Sequence, residues 1–422
     1  VSTDTESDEI AATAAPEVVA GSLGEYARLW LAKVRSGDSG ALPVLLGLAA
    51  IVIYFQVRSS LFLSAGNLVN LMTQAAWIMV LGMAEVFVLL LGEIDLSIGY
   101  SAPMGAVITL WMLSPPHPLP WPVAVLAGLA VPAGYGAVEG VLITRLRLPS
   151  FVVTLGGLLM GTGLLLFLVD TAAPGSGGTI RLSNGVLLDI EGGSMSPLVG
   201  WVVMAVAVVA AGAVMITRDT RRRASSLAAP PLSVTILKVL LIAIAGVVVV
   251  LIGNTNRGVT IAVRGVPWVV PILLVLLIAW SFLLGRTRFG RYVYAIGGNA
   301  EAARRAGINL SRIRVIAFTL CGLTAGVMGI IYASYLGSIS NDVNGGQNVL
   351  YAVAAAVIGG TSLFGGRGRM LGAVLGGLIV AVIYNGLYLL GLGAAAQDMW
   401  TAAVLLAAVT VDTLTRRSRS SA

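Results

Sequence analysis

A carboxylate at the centre of a membrane span costs about 2.5 to 3.5 kcal/mol, so every acid in oily surroundings needs a reason. Glu85 and Glu139 both sit inside long apolar runs. An isolated acid without His or Arg beside it makes a thin proton relay, so Glu85 reads as a neutral hydrogen-bonding group between helices. Asp170, Asp398 and Asp412 fall at the ends of such runs, where headgroups and water suffice. Other chemistries are excluded residue by residue. The two lysines, Lys33 and Lys238, lie in no glycine-rich loop, and G-x-x-x-x-G-K-[ST] does not occur, so a Walker A lysine is not part of this chain. The lone His117, in SPPHPLP, and the lone Cys321 leave no Cys/His cluster for a metal and no intramolecular disulfide. Neither a metal site nor a cofactor of the chain's own is expected.

Polar groups concentrate in GEIDLSIGYS, residues 92–101. Gly92 and Gly99 allow sharp turns, and Asp95 and Ser97 can cap the helix that follows, which makes this a broken-helix junction. A counterpart, IGGTSLFGGRG, occupies residues 358–368. Glycine-interrupted segments in corresponding places of two halves are what a duplicated transport fold shows.

The most charged stretch is RTRFGRYVYAIGGNAEAARRAGINLSRIR, residues 286–314, between two long apolar runs. Asn299 is suited to N-cap a helix over 300–306, with Gly307 closing it. Glu301 early and Arg304 and Arg305 late suit the helix dipole and give i,i+3 and i,i+4 pairs. Seven residues span about 10 Å, too short to be helical alone, so something must hold them. Small Ala302, Ala303 and Ala306 suit insertion into a partner's cleft; the alternative is a capped surface turn.

The elements that must position these residues follow from composition. Of 422 residues, 57% are hydrophobic and only 11% charged, a membrane-protein balance. The net charge of +7 is spread between apolar segments rather than gathered in a nucleic-acid patch. An all-α polytopic membrane protein is expected, with about twelve transmembrane helices near 41–57, 70–91, 97–113, 121–143, 150–170, 198–217, 233–253, 267–285, 315–337, 348–364, 370–391 and 398–414. Some are broken or short, 348–364 above all. With both termini cytoplasmic, all but Arg58, Arg181, Arg257 and Arg264 of the 26 Lys/Arg fall inside. The domains are then 1–40, an acidic disordered tail with an amphipathic helix over Leu23, Tyr26, Trp30 and Val34; 41–414, the membrane domain; and 415–422, a basic tail. Between spans six and seven, 218–231 reads as a solvated basic connector. In the outer loop 171–197, Asn184-Gly185 between two short apolar runs signals a hairpin.

GEIDLSIG (92–99), LITRLRLPSFVVTLGG (142–157), TRFGRYVYAIGGNAEAARRAGI (287–308) and GGTSLFGGRG (359–368) resemble, in order, the permease subunits of bacterial ABC importers for monosaccharides. The resemblance runs from about Asn67 to Leu414. It implies a short cytoplasmic coupling helix in which Gly298, Asn299, Glu301, Ala302, Ala303, Arg304, Gly307 and Ile308 contact an ATPase. It also implies a homodimer with a second permease subunit, two ATPase subunits that bind ATP and Mg, an extracytoplasmic sugar-binding protein, and a place in the bacterial inner membrane. Xylose or a similar sugar is the implied substrate, and Glu139 stands where an amide or small residue is expected. A neutral sugar needs hydrogen-bonding groups without a counter-ion. Gln74, Ser97, Ser101, Asn341, Asn344, Gln347 and Asn348, with Asp95, offer such groups along spans or at their mouths. The competing reading is a proton-coupled secondary transporter of the 6+6 type. That class has a basic turn between spans two and three, where this chain has Glu93 and Asp95.

Overall fold

The computed structural model describes residues 24–25, 28, 42–116, 118–225, 229–258 and 260–420, the side chains of 405, 408–409 and 411–420 excepted. Apart from residues 24, 25 and 28, the acidic tail and the amphipathic helix expected over 23–34 lie outside the described residues, as does His117. The chain divides into two compact units, residues 1–40 with 197–251 and residues 41–196 with 252–422.

In the larger unit the helices are α1 (Leu42–Arg58), α2 (Ala65–Leu89), α3 (Ile98–Leu113), α4 (Trp121–Arg145) and α5 (Ser150–Ala172). Strand β1 (Thr179–Arg181) and the one-turn α6 (Gly185–Leu188) follow. The smaller unit is the pair α7 (Pro197–Ala224) and α8 (Leu232–Asn254), the last turn of α8 belonging to the larger unit. The chain continues through α9 (Val269–Arg286), α10 (Arg288–Gly298), α11 (Ala300–Arg305), α12 (Leu310–Leu336), β2 (Ser338–Ser340), α13 (Gly345–Ile358), α14 (Met370–Leu389) and α15 (Ala394–Ser420). Among the described residues, eight helices are long and apolar enough to cross a membrane, and α1, α3 and α13 are shorter apolar helices. With α15, each of the twelve apolar segments has become a helix, so the protein is an all-α polytopic membrane protein.

Helix α2 is the axis of the larger unit. It is apolar on every side, and 83% of its apolar window is buried, against 11% for α9; a helix hydrophobic all round belongs in a core. It starts at Ala65, earlier than the sequence suggests, because Ser64 caps it and Asn67 is taken up by a reciprocal amide pair with Asn385 at 2.9 and 3.0 Å. Its polar first turn therefore reads as loop. Helices α4 and α12 approach backbone to backbone: a Cβ on Gly322 would lie 2.0 Å from the Pro132 carbonyl oxygen. Small residues at such a crossing substitute for the solvent-driven burial that lipid does not provide. Helix α13 ends at Ile358 because Gly360, at φ +87°, turns the chain out of the helix.

One local expectation is corrected. The 171–197 loop holds no hairpin about Asn184-Gly185. Asn184 Oδ1 accepts from Leu187 N at 3.2 Å and caps α6, while β1 pairs antiparallel with the distant β2, Ile180 opposite Ile339. Asx capping competed with the type I′ turn and won. Within the basic stretch 218–231, Arg218 to Ala224 form the last two turns of α7. There Asp219 accepts from Thr235 Oγ1 at 2.7 Å and pairs with Arg218 at 3.0 Å. At the C-terminus, α15 runs on through 415–420, so the basic segment continues the last helix.

The loop after α6 carries Glu191, 6% exposed, whose two carboxylate oxygens find no hydrogen-bond partner although its N–H donates to Ser334 Oγ. Burial pushes its carboxyl from 4.5 up to about 9. The folded chain then keeps a proton that the unfolded chain loses, so this residue lowers stability as pH rises from about 4.5 to about 9 and is without effect below that window. We expect Glu191→Gln to raise Tm in detergent at pH 8 and to leave it unchanged at pH 4. Equal shifts at both values would show that the carboxyl is already ionised in the folded protein.

Candidate functional site

Four helices surround a cavity of about 320 Å³ at the end of the larger unit where α12 finishes and α13 begins. Its polar wall holds Gln74 from α2 and Asn344, Gln347 and Asn348 from the start of α13. Aromatic walls come from Trp77, Tyr332, Tyr351 and Tyr384. Local structure fixes each one. Asn344 Oδ1 accepts from Gln347 N at 3.1 Å and so caps α13, which sets the first turn carrying Gln347 and Asn348. Gln347 Nε2 donates to Tyr351 Oη at 2.9 Å and to Asp398 Oδ1 at 2.6 Å. With both amide hydrogens engaged, its Oε1 remains as an acceptor. Asn385 Nδ2 donates to Gln74 Oε1 at 3.1 Å, which leaves the Gln74 amide group as a donor. Trp77 meets Tyr332 edge to face at 5.1 Å and Tyr351 at 5.8 Å, giving a rigid aromatic corner. The cavity lining includes one acid, Asp342, and neither Lys nor Arg. Amides beside aromatic faces, without a cation, suit a small neutral polyol and offer no counter-charge to a carboxylate or phosphate.

Of the six residues expected along a substrate path, Gln74, Asn344 and Asn348 line this cavity. Asp95, Ser97 and Ser101 do not; all three are at most 2% exposed, buried where the 92–97 junction meets α4 and α12. Ser97 gives no side-chain cap to α3. Its Oγ lies instead 2.7 Å from Asp95 Oδ1 and 2.9 Å from Glu139 Oε2. Glu85 is not isolated either: its Oε1 accepts from Asp95 N at 3.2 Å, so three carboxyls share one buried pocket of the fold. Cavity residues that sequence reasoning missed are Trp77, Tyr332, Tyr351 and Tyr384. A usable signal was present, since Gln74 with Trp77 and Gln347 with Tyr351 are i,i+3 and i,i+4 neighbours on one helix face.

The opposite end of the same helices carries the charged stretch. Asn299 Oδ1 accepts from Ala302 N at 2.9 Å. Gly307, at φ +80°, ends α11 with its N–H on Arg304 O, and Ile308 N donates to Ala303 O at 3.1 Å. Glu301 pairs with Arg304 at 2.7 Å and Arg305 at 3.2 Å, and those guanidinium groups hold its carboxyl below the usual range. Gly298, Asn299, Glu301, Ala302 and Arg304 are exposed. Ala303 is 5% exposed and packs into the chain's own core, so it anchors the helix rather than offering itself to a partner.

Beneath α11, three motifs converge through backbone contacts and two side-chain links. Gly366 N donates to Leu90 O at 2.9 Å, which joins the 359–369 loop to the 90–97 junction. Gly297, the residue two before Asn299, lies on both: a Cβ there would sit 1.8 Å from Leu90 O and 2.5 Å from Gly366 N. Tyr294 Oη donates to Gly368 O at 2.8 Å, and Glu93 pairs with Arg314 at the start of α12 at 3.1 Å. The base of α11 thus touches both helix breaks, from which α2, α13 and α14 run to three walls of the cavity.

The chain is similar in sequence to known transport permeases along most of its length. The chain is 33% identical over 393 residues to the xylose transport system permease protein XylH of Haemophilus influenzae, covering 91% of this chain and 99% of that protein. It is 34% identical over 389 residues to XylH of Escherichia coli strain K12, covering 91% and 94%. The ribose import permease protein RbsC of the same strain is 31% identical over 388 residues, covering 92% and 95%. No solved structure matches it significantly. Residues 67–409 match the family model described as the permease component of the branched-chain amino acid transport system, and the chain belongs to that family of multi-pass membrane transport permeases.

Proposed function

We propose that the chain is the membrane-spanning permease subunit of an ATP-driven ABC importer for a neutral monosaccharide, xylose or a sugar like it. The observation that carries the reading is the cavity: amides and aromatic faces with no Lys or Arg in its lining. An amino acid, which the family description names, would bring a carboxylate with no cation to meet it there. The near full-length similarity to xylose and ribose permeases supports the same choice.

In this reading the end bearing α11 faces the cytoplasm, as the Lys/Arg distribution favours, with both termini on that side. A second copy of the chain completes the membrane part. Two ATPase subunits, which bind ATP and Mg, meet Gly298, Asn299, Glu301, Ala302, Arg304 and Gly307, while Ala303 and Ile308 hold α11 on its base. A sugar-binding protein delivers substrate at the cavity end. Closure of the ATPase pair presses on α11, and the contacts at Gly297 turn that push into movement of α2 and α13 at the cavity. The two positions of these helices must contact the sugar differently for transport to result.

The buried acids at Glu85, Asp95 and Glu139 are the one feature that a proton-coupled carrier would also need. They lie outside the cavity lining, so sugar and proton would not share a site. Reconstituted vesicles separate the two readings. Labelled sugar should enter only when a separate ATPase subunit, ATP and the sugar-binding protein are supplied; uptake by this chain alone on a proton gradient would sink the importer reading. Within that assay, Glu301→Arg should lose co-purification of the ATPase subunit while Tm stays unchanged, because the Glu301 pairs are exposed and screened. Wild-type uptake by this variant would mean that α11 is only a surface turn.

A further inference from the structure

The three buried acids are not used by the transport path, and their hydrogen bonds contain one oxygen contact too many. Ser97 Oγ is within hydrogen-bond distance of two carboxyl oxygens, Asp95 Oδ1 at 2.7 Å and Glu139 Oε2 at 2.9 Å. A hydroxyl carries one hydrogen, and two short oxygen–oxygen contacts need two. The second hydrogen must sit on one of the carboxyls.

Asp95 is already an acceptor at every turn. Its Oδ1 also takes the Ser97 N–H at 2.9 Å, and its Oδ2 takes the Cys321 Sγ–H at 3.5 Å. Glu139 has no other donor: its Oε1 lacks any hydrogen-bond partner and rests against Gly157, where a Cβ would come within 2.0 Å. We infer that Glu139 is protonated at Oε2 and donates to Ser97 Oγ, which in turn donates to Asp95, so that Glu139 is the positioning residue that pins the 92–97 junction to α4.

Each neighbouring element fits this assignment. Helix α2 contributes Glu85, α12 contributes Cys321, and α4 itself contributes Tyr135, whose hydroxyl donates to Gly157 O at 2.6 Å. Thr154 Oγ1 of α5 lies 3.0 Å from Ser150 O and 3.2 Å from Ile94 O, two carbonyls that share its one hydrogen at longer distances than the Ser97 contacts. Among the described residues, no Lys or Arg is paired with any of the three acids, and no group of acids, His and Cys is arranged to hold a metal ion. Of the two carboxyls that meet Ser97, Asp95 has the donors to support a negative charge and Glu139 does not. A donor chain of this kind polarises along its length, which stiffens the junction in one register. Removing the Glu139 hydrogen would leave two carboxylates competing for one hydroxyl and would free the junction from α4. Glu139 thus acts on transport through the junction beneath α11, not by touching sugar.

Two measurements test this. The first is infrared difference spectroscopy on the detergent-solubilised full chain, wild type against Glu139→Gln. A protonated carboxyl has a carbonyl stretch distinct from the carboxylate bands, and the wild type should show one such band that the variant lacks. A change confined to carboxylate bands would overturn the assignment, whatever the transported substrate. The second rests on the importer reading and uses the complex with its ATPase subunit and sugar-binding protein. Glu139→Gln keeps a donor for Ser97 and should retain the maximal uptake rate within about 3-fold, whereas Glu139→Ala should lose about tenfold in that rate with the sugar KM unchanged. Equal loss in both variants, or a rise in KM, would show that Glu139 does not act through a donated hydrogen. A failed infrared result with intact ATP-dependent uptake would leave the importer reading standing and remove only this inference.

Discussion

Gly297→Ala should abolish sugar uptake while Gly285→Ala, on the exposed last turn of α9, leaves it within about 2-fold of wild type, the range of a surface change with no strain. The two differ in what a methyl group meets. At Gly297 it would lie 1.8 Å from Leu90 O and 2.5 Å from Gly366 N; at Gly285 nothing lies within 4 Å. The obstacles at Gly297 are backbone atoms of two helix breaks, which no rotamer change can move aside. Overpacking of this kind costs about 1 to 3 kcal/mol, too little to unfold a protein of this size but enough to lift α10 and α11 off their base. The expected result is a complex that still assembles and hydrolyses ATP without moving sugar. Uptake and ATP hydrolysis measured on the same vesicles decide it. Coupled transport by Gly297→Ala would mean that the push from α11 reaches the cavity by another route.

Loss of the aromatic corner should be nearly as severe, but by a different parameter. Trp77→Ala is expected to raise the sugar KM by about 100-fold, in the range of two to three lost kcal/mol for an aromatic face and its edge contacts. Trp77→Phe should recover most of that, since a phenyl ring can still meet Tyr332 and Tyr351, which now contact the indole at 5.1 and 5.8 Å. Both variants should keep ATP-dependent coupling, because neither touches the 90–97 or 359–369 segments. An unchanged KM in Trp77→Ala would place the sugar elsewhere.

The contrast between these sites also explains what the sequence could reveal. The cap on α11 was legible because Asn299, Glu301 and Gly307 act within a few residues of one another, and local chemistry writes itself in local order. The positions of the twelve helices were legible because apolar length is a local property too. Contacts across the chain were not. Nothing in the spacing of Glu85, Asp95 and Glu139 says that two helices and the junction between α2 and α3 bring them together, and Ser97 looks like a cap until a distant carboxyl competes for its hydroxyl. Asn184-Gly185 points to a pairing within the 171–197 loop, yet the partner of β1 is β2, more than 150 residues away. The cavity residues were half visible: amides drew notice as hydrogen-bonding groups, while Trp77 and the tyrosines passed as ordinary membrane-span aromatics.

Helix α13 has a consequence for how the protein is made. Its 14 residues rise about 21 Å, against a hydrocarbon thickness of roughly 30 Å. The segment that follows it, 359–369, is irregular, with Thr361 and Ser362 almost wholly buried and four glycines at positive φ. Irregular backbone at membrane depth is tolerated only where protein surrounds it, and here the surroundings are Leu90 and Gly297 from earlier in the chain and α14 from later. A helix this short, followed by irregular backbone, is poorly suited to cross lipid by itself, and the close approach of Gly359 to Gly372 ties it to α14. Entry of α13 and α14 as a hairpin onto helices already in place is the order of insertion that these contacts favour.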